Sequence, residues 1–167
     1  MNTARGNPGA GDTPPGPGSE WFAHADETGE PGLRFSCTMC GNCCTGPEGY
    51  VLVTDDEIAA LARRFGMSST EFRDTHTHVG EHGRSLNERQ SEAGRDCVFL
   101  DREKFPGKAV CGVYEDRPAQ CKTWPFWKSN LVSRYAWRRA KHVCPGMDQG
   151  KRYTPVQIRI ERDKVDI

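Results

Sequence analysis

The chain has 167 residues, sets 23 Lys and Arg against 23 Asp and Glu, and is only 35% hydrophobic. That length suits one domain with a tail, and the low apolar share implies a thin core that needs other support. Zero net charge leaves no basic excess to collect phosphates, which argues against nucleic acid or an anionic membrane surface as partner.

Met1 to Ser19 contains one Arg and no apolar stretch, so it does not read as a signal peptide. No later apolar run approaches the ~20 residues that span a bilayer. The expected compartment is therefore the reducing cytoplasm. There, eight cysteines point to metal ligation or redox chemistry rather than to a disulfide framework. Residues 1–30 are rich in Gly and Pro, with Gly9 to Gly18 the extreme, and read as a disordered tail. Within it, Trp21 and Phe22 are candidates to dock onto the domain, which is expected over 31–167.

Cys37-Thr38-Met39-Cys40-Gly41-Asn42-Cys43-Cys44 reads as a loop, because Gly41, Asn42 and the following Gly46-Pro47 favour turns. Val51 to Val53 is expected as a short strand. Thr54-Asp55-Asp56-Glu57 has the form of a capping box, and Ile58, Leu61, Ala62 and Phe65 follow at helical spacing up to Gly66. Ser68 to Glu71 repeats the box and opens a shorter helix through Phe72. Gly80 to Gly94 is polar and reads as loop, with a strand possible only around Ser85 to Glu88.

Cys97 to Leu100 and Ala109 to Val113 flank a polar stretch with Pro106-Gly107, the pattern of a β-hairpin that would put Cys97 and Cys111 on neighbouring strands. Arg117 to Cys121 suggests a helical turn with Pro118 at its first position, ended by the apolar knot Trp124-Pro125-Phe126-Trp127. A helix is expected over Leu131 to Ala140 and a turn at Cys144-Pro145-Gly146. Thr154-Pro155-Val156-Gln157 forms a third capping box that opens a C-terminal helix. The fold class is a small, loop-rich α+β domain organised around metal, with short helices and a β-hairpin.

A Cys-x-x-Cys loop lets two thiolates converge on one metal, as zinc sites and iron–sulfur clusters both require. Here it is extended to Cys-x-x-Cys-x-x-Cys-Cys. Its first three cysteines have the spacing of bacterial ferredoxin ligands, and Cys144-Pro145 supplies the remote Cys-Pro that completes such a site. One assignment puts Cys37, Cys40, Cys43 and Cys144 around a [4Fe–4S] cluster and leaves Cys44, Cys97, Cys111 and Cys121 for a second tetrahedral site. Adjacent Cys43 and Cys44 are expected to point in different directions, which suits such a division. One centre or two, and iron or zinc, both stay open, since thiolates bind both metals well.

The sequence resembles the YkgJ-type cysteine-cluster family, described as zinc- or iron-chelating. The likeness runs from Phe35 to about Glu161. It includes the cysteine loop, Asp96 to Leu100, Cys111-Gly112-Val113-Tyr114-Glu115-Asp116-Arg117-Pro118-Ala119-Gln120-Cys121, Trp124 to Trp127, and Cys144 to Met147. The Arg-Pro-x-x-Cys followed by an aromatic-Pro-Phe is its most discriminating part. All eight cysteines fall where that family has them, so the resemblance implies metal chelation through them. Similar clusters occur in flagellin lysine N-methylases, which implies a place in a protein-modifying system as a further alternative. No Gly-rich methyl-donor motif accompanies it.

Arg117, four residues before Cys121, is a candidate to neutralise a thiolate-bound cofactor or donate hydrogen bonds to it; the competing reading is an ion pair with Glu115 or Asp116. Lys122 is a weaker candidate of the same kind. Trp124, Phe126 and Trp127 suit the core of a small domain and could also shield a cluster. His76, His78, His82 and His142 are possible ligands in polar, exposed-looking surroundings. The preferred function is an iron–sulfur protein with a redox or electron-transfer role and a protein partner; the alternative is a zinc-stabilised interaction module without catalysis.

Overall fold

A computed structural model describes residues 20–167, and residues 1–19 of the tail expected over 1–30 lie outside them. Within the described part of the tail, Trp21 and Phe22 form a short 3-10 turn and are buried. The molecule is a small mixed α+β domain: four separate two-stranded antiparallel ladders and six short α-helices, joined by loops, among the described residues.

The capping chemistry read in the sequence sets the helix starts. Thr54 and Glu57 form a reciprocal box at α1 (Asp55–Phe65), and Gly66 closes it in the left-handed conformation. Ser68 accepts from the Glu71 amide at α2 (Ser69–His76), one turn longer than expected. Thr154 and Gln157 box α6 (Pro155–Arg162), with Pro155 in the first turn. Pro118 precedes α3 (Ala119–Thr123) as its cap rather than opening it. The single helix expected over Leu131 to Ala140 is two: α4 (Lys128–Leu131) and α5 (Arg134–Val143), the latter capped by Ser133.

The strands depart further from expectation. The polar stretch read as loop forms two hairpins. β2 (Thr77–Gly80) pairs with β3 (Gly83–Leu86), and β4 (Glu88–Ser91) pairs with β5 (Gly94–Cys97). Each turns through two residues, Glu81-His82 or Glu92-Ala93, onto a glycine with positive φ, so turn chemistry rather than apolar alternation makes these strands. Val51 to Val53 joins no ladder; it makes one isolated bridge, Leu52 to Ser85, alongside β3.

The expected hairpin around Pro106-Gly107 is present but shorter: β6 (Leu100–Asp101) pairs with β7 (Val110–Cys111). Cys97 is not in it, but ends β5 opposite Glu88. The last ladder joins β1 (Leu33–Phe35) to β8 (Lys151–Tyr153), bringing the start of the domain to its end.

Two apolar cores result. One gathers Trp21, Phe22, Phe126, Trp137, Met147 and Ile158, and includes Cys144. The other gathers Ile58, Leu61, Phe72, Leu86 and Val113, with Cys97 and Cys111 packed against it. A thin core divided in two matches the low hydrophobic content, and cysteines lie at both halves.

Candidate metal centre

The cysteine loop is held by backbone hydrogen bonds to three distant segments, each carrying or adjoining a remote cysteine. Ser36 donates to the Gly146 carbonyl (3.0 Å), beside Cys144. Ala109 donates to the Met39 carbonyl (2.8 Å), beside Cys111, and Arg95 donates to the Gly46 carbonyl (2.8 Å), beside Cys97. The Asn42 amide Nδ2 adds a bond to the Val143 carbonyl (2.9 Å).

Two glycines allow these approaches. A Cβ on Gly41 would lie 2.5 Å from the Ala109 Cβ, and one on Gly146 would lie 2.1 Å from the Ser36 carbonyl oxygen. Cys121 is brought in differently. Buried Gln120 accepts from the Leu52 amide (2.8 Å) and donates to the Tyr50 carbonyl (2.9 Å), tying α3 to the chain just after the loop.

Six cysteines, Cys37, Cys43, Cys44, Cys97, Cys111 and Cys121, line one cavity of about 460 Å³. Cys43, Cys44 and Cys97 also border a second of about 370 Å³, which Glu88 and Trp127 help to line. Cys40 and Cys144 stand apart from the first cavity's lining but are electrostatic neighbours of each other, and Cys43 is a neighbour of Cys144. All eight are free thiols. The Cys43 and Cys44 sulfurs are 3.6 Å apart. Adjacent residues on a tight 3-10 turn (Asn42–Cys44) therefore aim to the same side, not to different ones as expected from sequence.

The thiols oppose one another's ionisation. The Cys43–Cys44 hydrogen bond holds Cys43 down at about 7, helped by Arg117, and pushes Cys44 up together with burial. Burial pushes Cys97 up to about 11, with Cys111 adding to the rise. Cys121 is raised by burial and by Cys97, Cys111 and Cys43. Burial also raises Cys111 and Cys144. Such a group of soft donors is costly to ionise alone and favourable to ionise around a cation, which deprotonates coordinating thiols outright. The donor set therefore fits a thiophilic metal. Among the described residues, no three His, Cys, Asp or Glu side chains already converge closely enough to hold a single ion. Six of the cysteines share the lining of one cavity instead.

Arg117 lines this cavity and sits over Tyr114, its guanidinium carbon 3.7 Å from the ring centroid. The ion pair weighed for it is not formed: Asp116 pairs with Arg64 at 2.8 Å instead. The buried Arg117 Nε has no hydrogen-bond partner, an orphaned donor beside the thiols. Lys122 also lines the cavity. Trp124 borders it and donates Nε1–H to the Cys144 sulfur at 3.4 Å, while Phe126 is buried in the first core. Trp127 borders the second cavity and donates to the Gln120 carbonyl.

The histidines are elsewhere. His76 stacks on Phe72, His82 packs at a tilt against Tyr50, and His78 bonds Asn87. None of these, nor His142, lines the cysteine cavity.

Two supports escaped the sequence reading. Gln120 gave no signal beyond its place next to Cys121. Asp96, adjacent to Cys97, is 1% exposed and held by a bidentate Arg102 (2.8 and 2.9 Å). Its Asp-Cys pairing was visible, but its partner lay in a stretch read as hairpin turn.

The sequence profile of the CxxCxxCC family, described as "Putative zinc- or iron-chelating domain", matches residues 36–145. That span runs from just before Cys37 to just after Cys144 and so takes in every cysteine. The chain belongs to the CxxCxxCC family. As a CxxCxxCC protein it carries a metal-binding domain of the zinc- or iron-chelating kind. No solved structure matches the chain. Among the described residues no helix is long and apolar enough to cross a membrane.

Proposed function

We propose that this CxxCxxCC protein is a cytoplasmic iron–sulfur protein with a redox or electron-transfer role. The observation that carries this reading is the cavity of about 460 Å³ lined by six cysteines, no three of which converge on one ion-sized point. Thiolates on different irons of a cluster stand further apart than ligands of a single ion, so six cysteines spread over the lining of one cavity suit a polynuclear centre.

Cys37, Cys40, Cys43 and Cys144 would hold one cluster, and Cys44, Cys97, Cys111 and Cys121 a second metal. Cys144 neighbours Cys40 and Cys43, and Cys97 neighbours Cys111, Cys121 and Cys44, which supports the division; Cys43 also neighbours Cys44, Cys111 and Cys121, which brings the two sites together at that pair. Bound there, a cluster supplies reversible one-electron chemistry. The chain's own part is to exclude water with Trp124 and Phe126 and to offset negative charge with Arg117 and Lys122.

One observation favours the second reading, a zinc-stabilised interaction module. Two thiolates ~2.3 Å from one tetrahedral ion lie ~3.8 Å apart, close to the 3.6 Å between Cys43 and Cys44. A place in a protein-modifying system has no such observation behind it.

Elemental analysis and visible spectroscopy of anaerobically purified protein separate the two. Coloured protein with stoichiometric iron and sulfide, bleached by dithionite, supports the redox reading. Colourless protein with stoichiometric zinc overturns it in favour of the interaction module.

A further inference from the structure

A sulfur that carries charge is stabilised by N–H donors aimed at it, and the chain supplies these in a repeated form. The Met39 amide donates to the Cys37 sulfur at 3.4 Å, two residues back. The same spacing recurs at Cys97, Cys111 and Cys144, whose donors are the amides of Phe99, Val113 and Gly146. These bonds need only a local turn, and any residue other than proline supplies the donor.

Cys144 has a second donor of a different kind. Trp124 directs its indole Nε1–H to the Cys144 sulfur at 3.4 Å, from twenty residues away. Among the described residues it is the one side-chain N–H bonded to a cysteine sulfur.

Local structure puts the indole there. α3 ends at Thr123, and Pro125 keeps the residue before it out of the helical region, at φ −56° and ψ 135°. The chain turns off the helix at Trp124, and the indole borders the six-cysteine cavity. Trp127 fixes its plane: the two rings meet edge to face, 4.8 Å apart at 80°. Trp127 is anchored in turn by its own Nε1–H, which donates to the Gln120 carbonyl at 2.9 Å. Cys144 receives the indole at only 6% exposure, so water competes little for the sulfur and the bond acts in a low local dielectric.

We propose that the Trp124 indole N–H sets the reduction potential of the metal centre through its hydrogen bond to Cys144, with Trp127 as its positioning residue. The inference rests on the redox reading above, in which Cys144 is a cluster ligand. The step concerned is the gain of one electron by the oxidised centre, supplied in the test by dithionite, with no bond of the chain made or broken. Added charge spreads onto the ligand sulfurs, and a hydrogen bond to a more negative acceptor is stronger. The bond therefore favours the reduced centre and raises the potential. Shielding by the same indole acts in the opposite sense, because excluding water disfavours the more negative state. The two roles carry opposite signs, so substitution separates them.

The test is a potentiometric titration of the visible spectrum of full-length, anaerobically purified protein. Replacing Trp124 by 3-benzothienylalanine, which has the shape of tryptophan with sulfur in place of N–H, removes the bond and keeps the shield. Reduction should become roughly three- to tenfold less favourable, the upper value being about 59 mV downward for one electron. Iron and sulfide per chain should not change. The Fe–S(Cys) stretching bands in the resonance Raman spectrum should move up, since a sulfur freed of its donor binds iron more strongly. Trp127→Leu, which releases the indole from its edge contact, should lower the potential by less.

An analogue protein whose potential and Fe–S bands match wild type overturns the proposal and leaves the redox reading intact, since dithionite still bleaches both. A potential that rises also overturns it and makes the indole a water shield alone. Loss of iron from the analogue protein would assign the bond to metal retention instead, which overturns it too. An unchanged potential in Trp127→Leu removes Trp127 from its positioning role. Wild-type protein that dithionite cannot bleach sinks the redox reading, and the role of Trp124 with it.

Discussion

The Glu57 carboxylate accepts a hydrogen bond of 2.6 Å from the amide of Ala119, sixty-two residues further on. Its other oxygen, Oε2, accepts from the Thr54 amide (2.8 Å) and closes the capping box of α1. One side chain therefore caps two helices, its own and the short α3 that carries Cys121. A free amide at the start of α3 would otherwise need another partner. Replacing Glu57 by Ala should cost about 2–3 kcal/mol, a lost cap and an unpaired part-buried amide together. Replacement by Gln, which keeps acceptor capacity, should cost about half as much. Urea denaturation of the metal-loaded protein reads both, and equal stability of the Ala variant and wild type would show that the bridge is idle.

The first half of that relationship was legible in the sequence and the second was not. Thr54 to Glu57 announces a capping box because its signals are three residues apart. The same holds for Thr154 and for the left-handed stop at Gly66, whereas at Ser68 only the cap half of the expected box forms, the Ser68 hydroxyl accepting from the Glu71 amide. The cysteine loop was legible for a similar reason. What joins distant segments was hidden: Glu57 to Ala119, Gln120 to Tyr50 and Leu52, and Asp96 to Arg102 are contacts between polar residues with no periodicity to expose them. The hairpins β2–β3 and β4–β5 were missed because their strands are polar and half-exposed, so the alternation that marks a strand is weak. They are made by Gly83 and Gly94, each with a positive φ just after a two-residue turn. The convergence of the cysteine loop with Cys111 and Cys121 could be argued from shared donor chemistry, whereas the 3.6 Å between adjacent Cys43 and Cys44 depends on a 3-10 turn the residues did not advertise.

Trp21 belongs to the first core although it falls in the expected tail. It is 6% exposed and donates Nε1–H to the Leu131 carbonyl at 2.7 Å, in the first core. Trp21→Ala should cost about 3–5 kcal/mol, as large aromatic truncations in a core do. Removing residues 1–19 should leave bound metal per chain and thermal stability unchanged, whereas removing 1–22 should lower both. A large loss of metal on the shorter truncation would move the boundary into the tail.

Next to Trp21, Glu20 pairs with Arg159 and Arg162 of α6. Burial alone would raise its pKa, but the hydrogen bonds and charges of the two arginines outweigh that and hold it below its ordinary value. A depressed carboxylate stabilises the fold above its unfolded pKa of roughly 4.3 and loses that contribution as pH falls through the lower, folded value. Glu20→Gln should therefore be less stable than wild type near neutral pH. The two should converge as pH falls through about 4 and below. Thermal melts at several pH values test this, and a gap that stays constant down to acid pH would mean that the carboxylate's charge plays no part.

Metal and fold should be coupled, because two small cores leave the cysteine loop and its stitched segments as the link between them. Cys121→Ser removes a donor from the six-cysteine cavity, and Cys40→Ser removes the neighbour of Cys144. Both should lose metal and thermal stability together, since site formation is part of folding in such domains. His76→Ala should leave metal content unchanged, as His76 is stacked on Phe72 away from the thiols. A metal-free Cys121→Ser variant as stable as wild type would separate fold from metal.

Arg117 offers the sharpest distinction between iron and zinc. Its guanidinium is fixed on Tyr114, borders the cavity, and counts among the charges that lower Cys43. A positive charge held there favours whichever state of a bound centre is more negative, which for an iron–sulfur centre is the reduced one. Removing it in Arg117→Ala should lower the midpoint potential. One charge at about 10 Å in a medium of effective dielectric ~20–40 is worth roughly 1–1.5 kcal/mol, or on the order of 50 mV for one electron. Arg117→Lys should recover part of the shift, because it keeps the charge but not the planar guanidinium over Tyr114. Tyr114→Leu should give a smaller downward shift by freeing the guanidinium from its place. A potentiometric titration of the visible spectrum measures all three. If Arg117→Ala leaves the potential where it was, the arginine serves packing alone; if no variant, and not the wild type, shows any redox transition while zinc is stoichiometric, the centre is structural and the redox reading gives way to the zinc module.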